Sequence, residues 1–242
     1  GAGILGGVLR GVSSLGSAGG TGGAGDLGGL VTGDNNQWQL LQIQMQMQQE
    51  MQTFNLITID RPGGGMLRVH DNMLLRGDLN ILNGSWSSSG GPYEHRFRGD
   101  FVVEPTGSWY DTSATVVFDG TGTQYFDDRS ASGWHKYVVV EKYTGISILP
   151  LVLLNRMLLL DNGSLTVREG NMDFNGQYVR CTGNVTVEDG GNITIGAGAW
   201  LEVGGGYALN VQSGGRLEVR GVPANPARVT HHADTYAFTM HS

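Results

Sequence analysis

Residues 184–219 read NVTVEDGGNITIGAGAWLEVGGGYALNVQSGGRLEV, and this stretch decides the fold. Its short pieces alternate apolar and polar residues, and a corner rich in glycine separates each piece from the next. The last apolar residues of the pieces are spaced eight apart, at Val187, Ile195, Val203, Val211 and Val219. Because side chains alternate across a strand, the apolar residues of each piece share one face. The pattern predicts short strands separated by tight glycine corners.

A fixed repeat of this kind is typical of a solenoid, in which each unit buries its apolar edge only against its neighbours. With two or three strand-and-corner steps per coil, we expect an all-β fold, a parallel β-helix of roughly eight to twelve coils. The five residues of the eight-residue repeat are expected to stack as one buried core ladder. A β-propeller is the alternative, although its usual repeat of about 40 to 50 residues is not seen.

A longer repeat predicts two modules within residues 54–242, one at 54–136 and one at 137–242. The matching segments lie 81 to 86 residues apart. They are 56–61 with 137–142, 77–81 with 163–167, and 99–104 with 183–188. We interpret residues 54–242 as one β-solenoid built from two copies of a module.

The first 53 residues differ from the rest in composition. Residues 1–33 carry 14 glycines and form a leader, either flexible or ordered only against a partner subunit. Residues 34–53 are dominated by Gln, Leu and Met, which predicts a short amphipathic helix even though part of the segment also alternates like a strand. One face of this possible assembly helix carries Leu40, Ile43, Met47, Met51 and Phe54.

Composition excludes several classes of protein and partner. The chain has 242 residues, 41 glycines and a net charge of -7, and its only lysines are Lys136 and Lys142. Without a polybasic face, nucleic acid is not an expected partner. No apolar run is long enough for a membrane span, and the single cysteine, Cys181, rules out an internal disulfide and a Cys-rich zinc site. Few lysines with many Gly, Asn and Thr favour an extracellular or cell-surface location.

The best catalytic candidate is Asp127-Asp128-Arg129, because a glycosidase needs two carboxyl groups facing each other across a cleft. Neighbouring residues of a strand point to opposite faces, so the two aspartates could converge only in a loop. We interpret them as a solvated acidic turn and expect no enzymatic activity.

Metal sites and cofactors are not expected either. His231 and His232 would face opposite ways in a strand, so they could not share one ion. The turn at residues 119–122 is similar to a calcium turn but lacks the repeated pattern that binds ions between coils. A third group, the tryptophans, either lines a groove for cell-surface glycans or stacks inside the coil. The residues of this group are Trp86, Trp109, Trp134 and Trp200.

Three segments resemble the repeats of large secreted bacterial surface proteins. They are residues 54–64 (FNLITIDRPGG), 77–81 (GDLNI) and 116–124 (VVFDGTGTQ). The resemblance implies a parallel β-helical stalk or adhesin. Residues 37–55 have a short similarity to the helix of type III secretion inner-rod subunits, which implies a component of a secretion apparatus.

The function expected from these features is structural. The protein would be a filament subunit, stalk or adhesin segment outside the cell, and its main partner would be itself. No polar capping repeat is visible near Ser242, so we expect head-to-tail association through an open coil end. A carbohydrate-active β-helix enzyme and a secretion-apparatus component are the alternatives.

Overall fold

The structure, a computed structural model, describes residues 29–32, 52–88, 91–111, 113–131, 133–142, 149–232 and 238–240. Of residues 29–32, 111, 232 and 238–240, only the backbone is described. All regular structure in these ranges is β-strand, and there is no helix among them. Within the same ranges, therefore, no helix is present that could cross a bilayer.

The described chain forms 22 strands. In chain order they are β1 (Gly29–Thr32), β2 (Gln52–Phe54), β3 (Ile57–Asp60), β4 (Met66–Arg68), β5 (Met73–Leu75), β6 (Leu79–Ser88), β7 (Glu94–Phe97), β8 (Phe101–Val103), β9 (Gly107–Asp111), β10 (Thr115–Phe118), β11 (Gln124–Asp128), β12 (His135–Glu141), β13 (Leu151–Leu153), β14 (Met157–Asp173), β15 (Tyr178–Cys181), β16 (Val185–Val187), β17 (Gly191–Ile195), β18 (Trp200–Gly204), β19 (Leu209–Val211), β20 (Arg216–Val219), β21 (Arg228–His232) and β22 (Phe238–Met240).

These strands stack in parallel, and the chain visits three ladders in turn. Ile57 pairs with Leu79 and Leu79 with Phe101, so one turn takes 22 residues in this part of the chain. The described residues make a parallel β-solenoid of about 7 turns, which confirms the predicted fold class. Each turn uses three strands and three corners, which corresponds to the lower end of the expected range of coils.

Each ladder is one face of the solenoid. The first face contains β1, β3, the start of β6, β8, β11, β13, the end of β14, β17 and β20. The second face contains β4, the end of β6, β9, the start of β12, the start of β14, β15, β18 and β21. The third face contains β2, β5, β7, β10, most of β12, the middle of β14, β16, β19 and β22.

Four-residue turns explain the spacing of eight. The amide of the fourth residue of each turn donates to the carbonyl of the first, as from Gly191 to Glu188 and from Tyr207 to Gly204. Between residues 184 and 219 the third residue of each such turn is a glycine with a φ near +80°, at Gly190, Gly198, Gly206 and Gly214. Such a φ strains any residue with a Cβ, so glycine alone makes this corner without strain.

The core ladder forms in a different way from the one we predicted. Residues eight apart lie on successive faces, because three strands close one turn, so they do not stack on one another. Val187 instead pairs with Val211, which is 24 residues later. Val187, Ile195, Val203 and Val211 are buried, whereas Val219 is 50% exposed. Val219 stacks on Ile195, and no described strand pairs with the far side of β20.

The structure describes only residues 29–32 and 52–53 of the expected leader and helix. The expected helix lies outside the described residues, together with Leu40, Ile43, Met47 and Met51, except at its end. There Gln52, Thr53 and Phe54 form β2, which pairs with β5. Residues 29–32 of the expected leader form β1, which pairs with β3. Backbone hydrogen bonds to an existing strand override the helical propensity of this end of the segment.

The two modules do not occupy equivalent positions. Strand β12 runs across the boundary expected between residues 136 and 137. Residues 79–81 lie on the first face, whereas the matching residues 165–167 lie on the third. The long repeat in the sequence therefore matches one strand and its corner with another strand and corner, rather than one turn with another.

Replacing Gly206 by alanine should lower the free energy of unfolding by about 1–2 kcal/mol, because a left-handed backbone conformation costs a residue with a Cβ about this much. The φ of Gly206 is +80°, and an added Cβ would meet no atom within 4 Å, so backbone strain is isolated from steric clash. Gly196→Ala is the matched control, since Gly196 has an equally open environment without the positive φ. Urea unfolding of both variants measures the difference, and equal stabilities would contradict the strained corner.

Candidate functional site

The catalytic candidate Asp127-Asp128-Arg129 lies at the end of β11, so the expected solvated turn is wrong. Asp127 and Asp128 are only 4% and 5% exposed. They engage different partners, as expected for neighbours in a strand: Asp127 forms an ion pair with Arg129, whereas Asp128 contacts Ser130 and His135. Arg129 also reaches Glu104 in the preceding turn, at 3.1 Å. The two carboxylates therefore do not face one shared cleft.

Asp128 anchors the corner that follows β11. Its carboxylate accepts hydrogen bonds from the Ser130 amide at 3.0 Å and the Ser130 hydroxyl at 2.6 Å. Nε2 of His135 lies 3.4 Å from the other carboxylate oxygen. Burial by itself raises the pKa of Asp128, but the contacts with His135 and Ser130 outweigh burial and bring the pKa below its usual value. Ser130 and His135 both contact the Asp128 carboxylate. In a catalytic triad, by contrast, the histidine must contact the serine hydroxyl.

A buried lysine, Lys142, contacts residues 120–124, the end of the segment VVFDGTGTQ. Lys142 is 0% exposed, and its ammonium donates to the carbonyls of Gly120 at 2.9 Å and Gly122 at 2.7 Å. A third bond, of 2.7 Å, goes to the side-chain oxygen of Gln124. We call these four residues the Lys142 clasp. Three carbonyl-type oxygens around one cation are the kind of ligands that a calcium turn offers, and here they hold the protein's own ammonium group.

The Lys142 clasp ties neighbouring turns of the solenoid together. The Gln124 amide nitrogen donates to the carbonyls of Phe97 at 2.9 Å and Gly99 at 2.7 Å, in the turn below. Burial lowers the pKa of Lys142 to about 8, against the attraction of the Asp119 and Asp100 carboxylates. The buried ammonium group of Lys142 is therefore compensated by hydrogen bonds to backbone carbonyls. These carbonyls belong to the irregular corner between β10 and β11.

Sequence reasoning missed Lys142, although a signal was present. Val138 and Val140 are buried at alternate positions of β12, and Lys142 continues the same parity just after the strand. Lysine is rarely buried without a partner, so a lysine at an inward position indicates a polar partner inside the solenoid.

Aromatic side chains fill the interior of the central turns. Trp86 and Trp109 are fully buried and stack with ring centres 5.1 Å apart. This confirms the stacked alternative for these two residues and excludes them from any surface groove. His135 packs against Trp109 from the next turn, with ring centres 5.7 Å apart.

His95 is the least compensated polar side chain of this interior. It is fully buried beside Trp86, and neither ring nitrogen has a hydrogen-bond partner among the described residues. Burial lowers the pKa of His95 to about 4. The ring is therefore neutral at physiological pH and acts as part of the core.

Trp134 and Trp200 lie on the exterior of the second face. In β18, Leu201 and Val203 are buried, so Trp200 and Glu202 point outward. Trp200 pairs with Tyr178 of β15, and their ring centres are 4.8 Å apart. Trp134 forms a bridge with Tyr110, whose side chain is exposed. The structure therefore places outward aromatic side chains on this face in two pairs, Tyr110 with Trp134 and Tyr178 with Trp200.

The histidine pair lies in β21, at the last described turn of the second face. His231 pairs with Val203, and His232 pairs with Gly204. In the part of the chain that the structure describes, no group of three or more His, Cys, Asp and Glu side chains could hold a metal ion.

Replacing Lys142 by methionine should lower stability by on the order of 3 kcal/mol, because buried carbonyl oxygens would lose their donor. Lys136→Met is the control, since the Lys136 ammonium pairs with the exposed Asp161 and such pairs contribute about 0–1 kcal/mol. Thermal and urea unfolding measure both changes. Similar losses in the two variants would show that the clasp does not stabilise the solenoid.

The buried His95 should make the protein sensitive to acid. The unfolded chain takes up a proton near pH 6.5 and the folded chain only near pH 4, so stability falls as the pH drops between these values. The loss at pH 4 is about 3 kcal/mol for this one group. His95→Phe should flatten the decline in unfolding free energy between pH 6.5 and 4, measured by urea titration. His70→Phe, at an exposed histidine, is the control, and an unchanged slope in His95→Phe would contradict the prediction.

No family model, curated protein or solved structure matches the chain. The geometry of the solenoid, its exposed end and its three outer faces therefore carry the functional proposal.

Proposed function

We propose that the protein is a structural component of the cell exterior, a β-solenoid segment of a filament, stalk or adhesin that associates end to end with copies of itself. The observation that carries the proposal is the exposed core at the last described turn. Val219 occupies an inward position directly above the buried Ile195, yet half of its surface is exposed. Leu217 and Val229, also in this turn, are only partly buried.

An end of this kind favours another coil of the same shape. Parallel strands present a row of backbone donors and acceptors in register, and an open row is a template for a further strand. Apolar side chains at the inward positions add a hydrophobic contribution, which grows with the area removed from water. Another copy of this solenoid supplies both a matching strand spacing and a matching three-faced outline.

The interior supports a mechanical role. Hydrogen-bonded ladders join the turns on three faces, and the Lys142 clasp joins corners of neighbouring turns that the ladders do not reach. In a solenoid each turn contacts only its neighbours, so such additional ties oppose local opening of the stack. A rod held in this way is suited to spacing or displaying other groups outside a cell.

The alternatives receive less support. For a carbohydrate-active enzyme, the best carboxylate pair, Asp127 and Asp128, engages separate partners on opposite sides of β11. For a secretion-apparatus component, residues 37–51 would form the assembling helix, and they lie outside the described residues.

Placing a charge on the exposed core position should prevent assembly. The Val219→Lys variant should lower the concentration-dependent growth of scattering particles at least tenfold, because a lysine cannot be buried without a partner. Val222→Lys is the control, since Val222 is equally exposed but lies in the loop after β20. Light scattering and electron microscopy of negatively stained particles give the readout. A wild-type protein that stays monomeric at high concentration would overturn the proposal, as would unimpaired growth of Val219→Lys.

A further inference from the structure

One row of side chains runs along the exterior of the second face through four successive turns. Tyr178 pairs with Trp200, and Trp200 pairs with Arg228. The register that pairs Met157 with Val179 places Arg156 beside Tyr178 at the other end of the row. The row is therefore Arg156, Tyr178, Trp200 and Arg228, with neighbours about 4.8 Å apart along the solenoid axis.

The two rings in the middle of the row are held in place by their polar ends. The Tyr178 hydroxyl lies 2.8 Å from Oε2 of Glu202, and the Trp200 indole nitrogen donates to the Thr230 hydroxyl at 2.5 Å. Nε of Arg180 lies 3.3 Å from the other oxygen of Glu202, which is nearly buried. Rings fixed in this way lose little conformational entropy when a ligand packs against them.

The two ends of the row are positively charged. Arg156 and Arg228 are exposed, and neither forms an ion pair with a carboxylate among the described residues. The Arg156 guanidinium donates to the Ala131 carbonyl at 3.5 Å. On the same face, the Glu202 carboxylate is already engaged by Arg180 and Tyr178. The exterior here is basic in a chain whose net charge is -7.

We propose that this row binds an acidic polysaccharide, with pyranose rings packed on Tyr178 and Trp200 and carboxylate groups paired with Arg156 and Arg228. The ring of a pyranose has an apolar face that suits an aromatic side chain, and arginine binds a carboxylate through two parallel hydrogen bonds. An extended polysaccharide advances by one sugar over a distance close to the spacing between the turns. The polymer would therefore run along the solenoid axis, in register with the row.

Nucleic acid fits the same row less well. Binding to a phosphate backbone draws on many lysine or arginine contacts, and only two unpaired arginines flank the rings. The proposed site consists of outward side chains on the second face, whereas the assembly surface consists of inward side chains and open backbone groups at the last described turn, so binding at the row does not require end-to-end assembly.

The test is a titration of the full chain with a galacturonate hexamer, monitored by calorimetry and by tryptophan fluorescence. The hexamer should bind, and raising the salt concentration should weaken the binding because both arginines pair with carboxylates. Trp200→Ala and Arg228→Gln should each weaken binding at least tenfold. Tyr125→Ala and Arg216→Gln change an exposed tyrosine and an exposed arginine on the first face, and these control variants should bind within twofold of wild type.

Each contrary result would overturn the proposal. These results are no binding of the hexamer by the wild type, tighter binding of an uncharged cellohexaose, or equal losses in the control variants. Tighter binding of a twelve-residue thymidine oligonucleotide would assign the row to nucleic acid instead. If Trp200→Ala unfolds, the double variant R156Q/R228Q replaces it in the test, because it changes only exposed side chains. This double variant should also bind the hexamer at least tenfold more weakly than the wild type, and unchanged binding would overturn the proposal. Failure of this site would leave light scattering and fibre growth unchanged, so it is distinguishable from failure of the assembly proposal.

Discussion

The whole structure depends on stacking like side chains at the inward positions of successive turns. Parallel hydrogen bonding sets this register, as where Leu165 lies on Val185 and Val185 on Leu209. Each fully buried aliphatic side chain contributes about 1.5–3 kcal/mol, and in a solenoid nearly all of that burial comes from the turns directly above and below. A change in the length of one turn would shift the register of those that follow, so the corners must be as well defined as the strands.

The two halves of the solenoid meet this requirement differently. Between residues 184 and 219 the corners are uniform four-residue turns, and a left-handed glycine such as Gly198 is sufficient to make them. In the central turns the corners vary in length, and buried polar groups hold them: Lys142 with Gln124, and Asp128 with Ser130. A buried charge must be compensated by fixed dipoles, and these dipoles come from the irregular corners themselves.

Much of this fold could be predicted from the sequence, because strand alternation and glycine corners are local. The spacing of eight predicted the strand-and-corner step, and the left-handed glycines confirm how that step turns. The number of steps per turn could not be derived, since any small number preserves the alternation, and the core ladder was therefore assigned to residues on different faces. The candidate sites were harder to predict. Asp127 and Asp128 were read as solvated because their pairing with Arg129 and His135 depends on contacts that the local sequence does not show.

The sequence by itself determined that this is a coiled all-β protein with an apolar interior, because period-two alternation and turn-forming glycines act over a few residues. Only the tertiary structure decided which residues stack, since Val187 finds Val211 rather than Ile195 once three strands close a turn. It also decided that Lys142 lies inside and that Tyr178, Trp200 and two arginines share one outer row. These relations join residues some 18 to 28 positions apart, a distance set by the closure of the turn and not by any local preference of the chain.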